Sequence, residues 1–418
     1  MARILLVAYY YPPNHASGGQ RPLKMAEYLP QFGHDVVVLT SSYARKTSAE
    51  KNIIRVYDPS HNKNRVGLRK FQWFFLRLAV ELLNRLGIYT SIYSPWKRSV
   101  LRKANEIVAQ VKPEWILATY PPVETLEIAC RLSKNFHLPF IADFRDGLLF
   151  EAVEKKRLAR FACIRRTYEK IERQIAGAAQ AIIADTPALT RYFSQTYHCP
   201  KQLTLPNGFD ERDFGNLPQI PFMEKSKFKI VHTGSFGLSE SGRDVNCLNR
   251  TLEQIQVKDP EILPEIQIHL VGELKRNESK LLKKWLEMGS VAVYGSLERP
   301  LALAFQQNAD LLLLVSAVDQ ISVAAGKLFE YLGARKPILG LTWGTYAAEI
   351  IEETGSGWTI HPENSAEIAD LLIAMIRQPR LLSTLRRNEQ AISRFSRPRQ
   401  MRELAAFIHS LKKKETSS

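Results

Sequence analysis

Cysteine is scarce in this sequence, and the four present, Cys130, Cys163, Cys199 and Cys247, show neither Cys-x-x-Cys pairs nor cysteine–histidine ligand spacing. That excludes a disulfide framework and a zinc site and suits a reducing compartment. Long apolar runs are missing too: none approaches the roughly 18 residues a membrane span needs. The opening MARILLVA is short, β-branched and followed by aromatics and prolines, so it reads as a buried strand and not as a signal peptide. The nine histidines form no HExxH pattern, and His232 and His269 sit inside strand-like runs, where satisfied core histidines are expected and no metal is assigned. No GxSxG segment or Ser/His/Asp order supports a hydrolase. Acids are also in deficit, 42 against 58 lysines and arginines, for a net charge of +16.

That excess needs a partner, and its distribution narrows the choice. Between Lys63 and Lys103 stand Lys63, Arg65, Arg69, Lys70, Arg77, Arg85, Lys97, Arg98, Arg102 and Lys103, with Glu81 as the one acid. Phe71, Trp73, Phe74, Phe75, Leu76, Leu78, Leu82, Leu83 and Leu86 are interleaved with them at helical spacing. Cations at headgroups with aromatics beneath them suit a helix lying on an anionic membrane surface; the competing reading is a core helix with a solvated basic face. A second basic helix, Lys155 to Arg173, favours a surface. No helix-turn-helix, zinc-finger or RNA-recognition pattern accompanies the charge, which argues against nucleic acid.

At 418 residues the chain is long enough for two domains. ILLVAYYYPP and HDVVVLTSS flank a helical segment from Pro22 to Phe32, and WILAT (115–119), FIADF (140–144) and AIIAD (181–185) continue the βα alternation. PNGFDERDFGNLPQIP then reads as a linker. The alternation restarts with FKIVHTG (228–234), IQIHLVG (266–272), VAVYG (291–295), ADLLLLVS (309–316) and KPILGLT (336–342). The expectation is an α/β chain with two doubly wound, Rossmann-like domains: residues 1–210, residues 211–395, and a C-terminal helix with a polar tail at 396–418. In such sheets ligands bind at the C-terminal ends of the strands, so a cleft between the two domains is expected.

The loop after the first strand, YYYPPNHASGGQR, pairs Gly18 with Gly19 ahead of Arg21 and a helix. Paired glycines let backbone amides approach a ligand, and a helix start favours an anion, although such a pair is by itself an ordinary turn signal. With TYPP (119–122), IADFRD (141–146), the Asn207-Gly208-Phe209-Asp210 turn, HTGSFG…GRD (232–244) and GKLFEYLGARKPIL (326–339), it resembles glycosyltransferase family 4 in a bacterial subgroup with a D-F-R-D signature. The motifs follow in order along nearly the whole chain.

The resemblance implies the GT-B fold, a donor held by the second domain, an acceptor held by the first, and retention of configuration without a metal. It implies that Glu330 accepts hydrogen bonds from the donor ribose, with Lys327 and Arg243 as cations for the diphosphate. Gly234 and Ser235 would offer backbone donors, and Asn207, Gly272 and Gly326 would complete the donor set with Gly18 and Gly19. Arg145 and Asp146 would act near the reacting carbon, and Arg21 and Asp143 would hold the acceptor. For Lys327 and Glu330 the competing reading is an i,i+3 ion pair; for Asp143, Arg145 and Asp146 it is a salt bridge within the loop. The wider family often has two glutamates separated by seven residues, and counting back from Glu330 reaches Ser322, so Asp319, Ser322 or the backbone of 323–326 would take that place.

The function implied is transfer of a hexose or N-acetylhexosamine from a nucleoside diphosphate sugar, with a UDP-sugar favoured, to a lipid-linked or polysaccharide acceptor. The setting expected is cytoplasmic, on the inner face of the plasma membrane, in cell-surface glycan synthesis. The competing readings are an inactive sugar-nucleotide-binding protein on the same scaffold and a sugar-nucleotide epimerase.

Overall fold

The computed structural model describes residues 2–13, 17–42, 48–60, 78–80, 82–83, 91–151, 162–197, 201–220, 223, 226–236, 245–316, 322 and 324–412. Two compact units emerge, Met1–Pro206 with Gln400–Ser418, and Asn207–Arg399. The first unit thus ends at the first residue of the linker expected from sequence, short of the boundary expected at 210, and it takes in most of helix Arg397–Lys412.

In the N-terminal unit, β1 (Ala2–Val7), β2 (His34–Ser42), β3 (Ser48–Glu50), β4 (Ile53–Tyr57), β5 (Trp115–Tyr120), β6 (Phe140–Phe144), β7 (Ala181–Ala184) and β8 (Gln202–Thr204) form one sheet in the order β3-β4-β2-β1-β5-β6-β7-β8. Neighbours run parallel except β3 against β4. The central strands are continuous apolar runs because both faces are covered. Leu5 and Val7 point into one cluster with Ile116, Ala142, Leu126 and Trp96. Ile4 and Leu6 point into the other, where Met25 and Tyr28 of helix Gln20–Tyr28 meet Met401, Leu404, Ile408 and Leu411 of helix Arg397–Lys412. Each fully buried aliphatic side chain there contributes on the order of 1.5–3 kcal/mol, which is why the last helix stays docked.

The C-terminal unit repeats the pattern with β9 (Phe228–Thr233), β10 (Ile266–Val271), β11 (Val291–Val293), β12 (Leu311–Val315), β13 (Ile338–Leu341) and β14 (Gly357–Thr359), all parallel, in the order β11-β10-β9-β12-β13-β14. Alternate residues again divide between two cores. Ile230, Leu311 and Leu313 face helices Asn246–Lys258 and Ser365–Arg377. Val231, Leu312 and Leu314 face helices Gly326–Ala334 and Tyr346–Glu353.

All ten strand cores read from sequence appear at their expected positions. The strands the sequence reading did not mark, β3, β4, β8 and β14, are three to five residues long and lie towards or at the sheet edges. No helix among the described residues is long and apolar enough to cross a membrane.

Candidate active site

The C-terminal ends of β9, β10 and β12 carry most of the expected donor residues. After Thr233 the chain turns at Gly234, whose φ of +92° suits glycine. Its amide donates to the Val271 carbonyl at 2.7 Å, which prolongs the β9–β10 ladder by one residue. At Gly272 a β-carbon would stand 2.4 Å from the Gly234 oxygen and 2.9 Å from the Ser235 nitrogen, so only glycine lets the two loops touch. A β-carbon on Gly234 would stand 2.9 Å from the Lys327 Nζ, which places that buried ammonium directly against the Gly234 backbone. Lys327 reaches there from the first turn of helix Gly326–Ala334, which starts at Gly326 after an extended Ala325 without a side-chain cap. Cation, close glycine backbone and helix start thus converge, an arrangement that favours phosphate.

Glu330 lies one turn further along the same helix. Its carboxylate turns to Arg299 and Gln306: Arg299 Nε donates to Oε1 at 3.0 Å and Gln306 Nε2 to Oε2 at 3.3 Å. Arg299 also pairs with Asp213 at 3.0 Å. Burial works against the Arg299 charge, but Glu330 and Asp213 more than offset it and hold its pKa above the usual arginine value. Below this group, Gln306 Nε2 donates to Thr233 Oγ1 at 3.0 Å, and the Thr233 amide donates to the Tyr331 hydroxyl, which donates on to the Leu313 carbonyl. His232 is a core histidine on the Leu313 carbonyl, stacked on Phe236. His269 meets the Tyr294 hydroxyl. Asn207 opens the unit, and Asp210 caps the turn Glu211–Phe214 through the Arg212 amide. Ser322 is buried. Arg243 and Asp319 lie outside the described residues.

The N-terminal unit gathers a second polar group, at the ends of β5, β6 and β7. Here the two residues expected to hold the acceptor meet each other. Arg21 and Asp143 form a bidentate pair, Nε to Oδ2 at 2.8 Å and Nη2 to Oδ1 at 2.6 Å, at 1 % and 0 % exposure. Arg21 Nη1 then donates to the Leu205 and Pro206 carbonyls. Paired with each other and out of solvent, they brace the β6 end and the last residues before Asn207. Asp143 therefore pairs with Arg21 and not with Arg145, as the loop salt-bridge reading had it.

Arg145 instead donates from Nη1 to the Gly18 carbonyl at 3.0 Å, and Gly18 is packed so closely that a β-carbon would meet the Tyr10 ring at 2.9 Å and Arg145 at 3.2 Å. Gly18 and Gly19 form a single 3-10 turn leading into helix Gln20–Tyr28. Asp185, which ends the AIIAD run, is buried; burial and the neighbouring Asp146 push its carboxyl well above the usual range, against the pull of Arg21 and Arg145. Glu124 opens the helix after β5 with 1 % exposure, and neither carboxylate oxygen makes a hydrogen bond of full geometry, the Ser91 side chain and its own amide giving its charge only weak support. Burial is the largest cause that pushes its pKa up to about 7. The Thr119 hydroxyl and Arg145 Nε, on the neighbouring strand ends, are likewise buried and unpartnered. Orphaned polar groups of this kind cost stability and cluster where ligands bind.

Asp185, Glu124, Arg299 and Gln306 escaped the sequence reading. A signal existed for two of them, since Asp185 ends a marked strand and Glu124 follows TYPP directly. Arg299 and Gln306 carried none. Among the described residues no group of three or more His, Cys, Asp or Glu could hold a metal ion.

Residues 18–208 match the family model described as glycosyl transferase 4-like domain, and residues 227–378 match that of glycosyl transferases group 1. Curated protein sequences yield no match. Among solved structures, sucrose-phosphate synthase from Thermosynechococcus elongatus superposes with a TM-score of 0.70 at 13 % identity over 98 % of this chain and 99 % of that one. Anabaena HepE in complex with UDP-glucose gives 0.62 at 17 % identity over 98 % and 100 %. A UDP-forming α,α-trehalose-phosphate synthase from Burkholderia vietnamiensis gives 0.63 at 12 % over 99 % and 100 %. At such identities the structures establish the fold, which is GT-B, while the two family models span most of the chain in succession. The chain belongs to the glycosyltransferases that join a glycosyl transferase 4-like domain to a group 1 domain.

Proposed function

We propose that the protein transfers a hexosyl or N-acetylhexosaminyl group from a nucleoside diphosphate sugar to a lipid-linked or polysaccharide acceptor, with retention of configuration and without a metal. One observation carries the donor half: within the group 1 match, Lys327 Nζ stands against the Gly234 backbone while Glu330, one turn on, presents a fixed carboxylate. In this reading the diphosphate lies at Gly234, Ser235 and the start of helix Gly326–Ala334, with Lys327 and Arg243 as its cations. Negative charge grows on the leaving phosphate as the glycosidic bond breaks, and a preorganised ammonium in a partly desolvated site stabilises it. Glu330 takes the ribose hydroxyls. A leaving-phosphate oxygen is the base for the incoming hydroxyl. The HepE structure holds UDP-glucose and the Burkholderia enzyme is UDP-forming, which makes a UDP-sugar the first donor to try.

The acceptor half rests on Arg145, Asp146 and the orphaned Glu124 and Thr119 in the 4-like domain. The basic, aromatic stretch 63–103 supports docking on an anionic membrane at its cytoplasmic face, where cell-surface glycans are begun. Most of that stretch lies outside the described residues; within it, Leu78 and Leu82 are 52 % and 57 % exposed, which suits an interfacial helix, whereas helix Ser94–Arg102 buries Trp96 and Val100 in the core and so follows the core-helix reading.

Thermal-shift and isothermal titration with UDP, GDP, ADP and dTDP test the donor reading. One nucleotide is expected to stabilise the wild type, and Lys327→Ala, Arg243→Ala and Glu330→Ala to abolish the shift. Silence from every nucleotide, with binding to acidic vesicles retained, would leave a membrane-binding protein on a GT-B scaffold.

A further inference from the structure

Arg299 is a largely buried arginine at the start of a helix, and nothing in its sequence context marks it. Its contacts do. It bridges Asp213, in the turn Glu211–Phe214, and Glu330, while Gln306 approaches Glu330 from the other end of the helix that Arg299 opens. We propose that Arg299 and Gln306 are positioning residues that orient the Glu330 carboxylate for two vicinal ribose hydroxyls, an inference that rests on the donor reading above.

The geometry supplies the reasons. An ionised carboxylate has about four lone-pair directions. Arg299 occupies one on Oε1 and Gln306 one on Oε2, so each oxygen keeps acceptor capacity for one hydroxyl of a vicinal diol. Both braces are themselves fixed. Arg299 is held by Asp213, and Gln306 by Thr233, whose amide is tied to Tyr331 and through it to the Leu313 carbonyl of β12. A carboxylate on a flexible stem would lose rotamer entropy on binding; one held at both oxygens from the two ends of a neighbouring helix has lost it already. The charges also separate the two ends of the ligand. Glu330, Arg299 and Asp213 together are net negative, which suits hydroxyl donors and repels phosphate, whereas Lys327 beside Gly234 attracts it.

The test compares UDP with 2′-deoxy-UDP by isothermal titration of the full chain, or GDP and ADP with their 2′-deoxy forms should UDP not bind. The wild type should prefer the ribonucleotide by about tenfold, the scale of one hydrogen bond to a charged group. Glu330→Gln should lose that preference. Arg299→Met should reduce it to about threefold or less by weakening the ribonucleotide while the deoxynucleotide keeps its Kd, and Arg299→Lys should restore part of it. A purely structural role would weaken both nucleotides alike. Gln306→Leu carries the same expectation through the other oxygen and decides the matter if Arg299→Met does not fold. Full discrimination in Arg299→Met and Gln306→Leu, with loss in Glu330→Gln, overturns the inference and leaves the donor reading standing. Equal binding of the two sugars by the wild type, or no nucleotide binding at all, overturns the ribose assignment and the inference with it.

Discussion

The two polar groups are built on the same plan, at the C-terminal ends of a parallel sheet, but they differ in how completely they are satisfied. In the C-terminal unit, Glu330, Thr233, Tyr331 and the Gln306 Nε2 each have protein partners while the buried Gln306 Oε1 has none, and a quarter of the Glu330 side chain remains exposed. In the N-terminal unit, Arg21 and Asp143 are satisfied and sealed, whereas Glu124, Thr119 and the Arg145 Nε are sealed and unsatisfied. A preorganised carboxylate that still meets solvent is ready for a ligand at little cost. Buried, orphaned groups lower the stability of their own unit until something pairs with them. In the proposed function this contrast pairs a preorganised nucleotide platform in one half with an acceptor edge whose buried groups await a partner in the other.

The strongest way to break this contrast is to open the sealed pair. Arg21→Met leaves Asp143 buried without its cation and should cost about 3–5 kcal/mol, seen as a large drop in the midpoint of chemical denaturation. A loss under about 1 kcal/mol would mean that the site relaxes into solvent.

Removing an orphan should do the opposite. The Glu124 carboxyl keeps its proton up to about pH 7, against an ordinary value of 4.5. The folded state therefore binds that proton more tightly than the unfolded chain does. Its contribution is fully present below the ordinary value and is lost as pH rises through 7. Glu124→Gln should leave stability at pH 4 unchanged and raise it above pH 8 by about 3 kcal/mol. A denaturation series with equal midpoints at both pH values would show that the carboxyl is paired.

Gly272→Ala sharpens the other side. Its β-carbon meets the Gly234 backbone, so the substitution should cost about 1–3 kcal/mol and, by displacing Gly234 from Lys327, weaken nucleotide binding as well. Unchanged titration with UDP would detach Gly234 from the donor. The smallest effect is expected at Gln306→Leu, about 1 kcal/mol for the hydrogen bonds it shares between Thr233 and Glu330.

The sequence made the frame of the fold legible because central parallel strands are buried on both faces and read as unbroken apolar runs, such as ILLV and LLLLV. It lost the edges: β14, with the residues Gly357-Trp358-Thr359, carries no such run, and β4 alternates like a surface strand. Site residues divide the same way. Lys327, Gly234 and Glu330 were legible because a local motif holds them in order. Arg299 and Gln306 were not, because each acts across about 24–31 positions through a contact that only the packing of two helices creates. Arg21 and Asp143 were seen but their pairing was not, since sequence gives residue type and strand end without telling that the partner is another side chain 122 positions away.

Amide hydrogen exchange with and without UDP tests most directly whether the C-terminal unit holds the donor nucleotide. The account predicts slowed exchange at Thr233–Phe236 and in the first turns of helix Gly326–Ala334, abolished by Glu330→Ala. Protection confined to the ends of β5, β6 and β7, with those two segments unchanged, would contradict it.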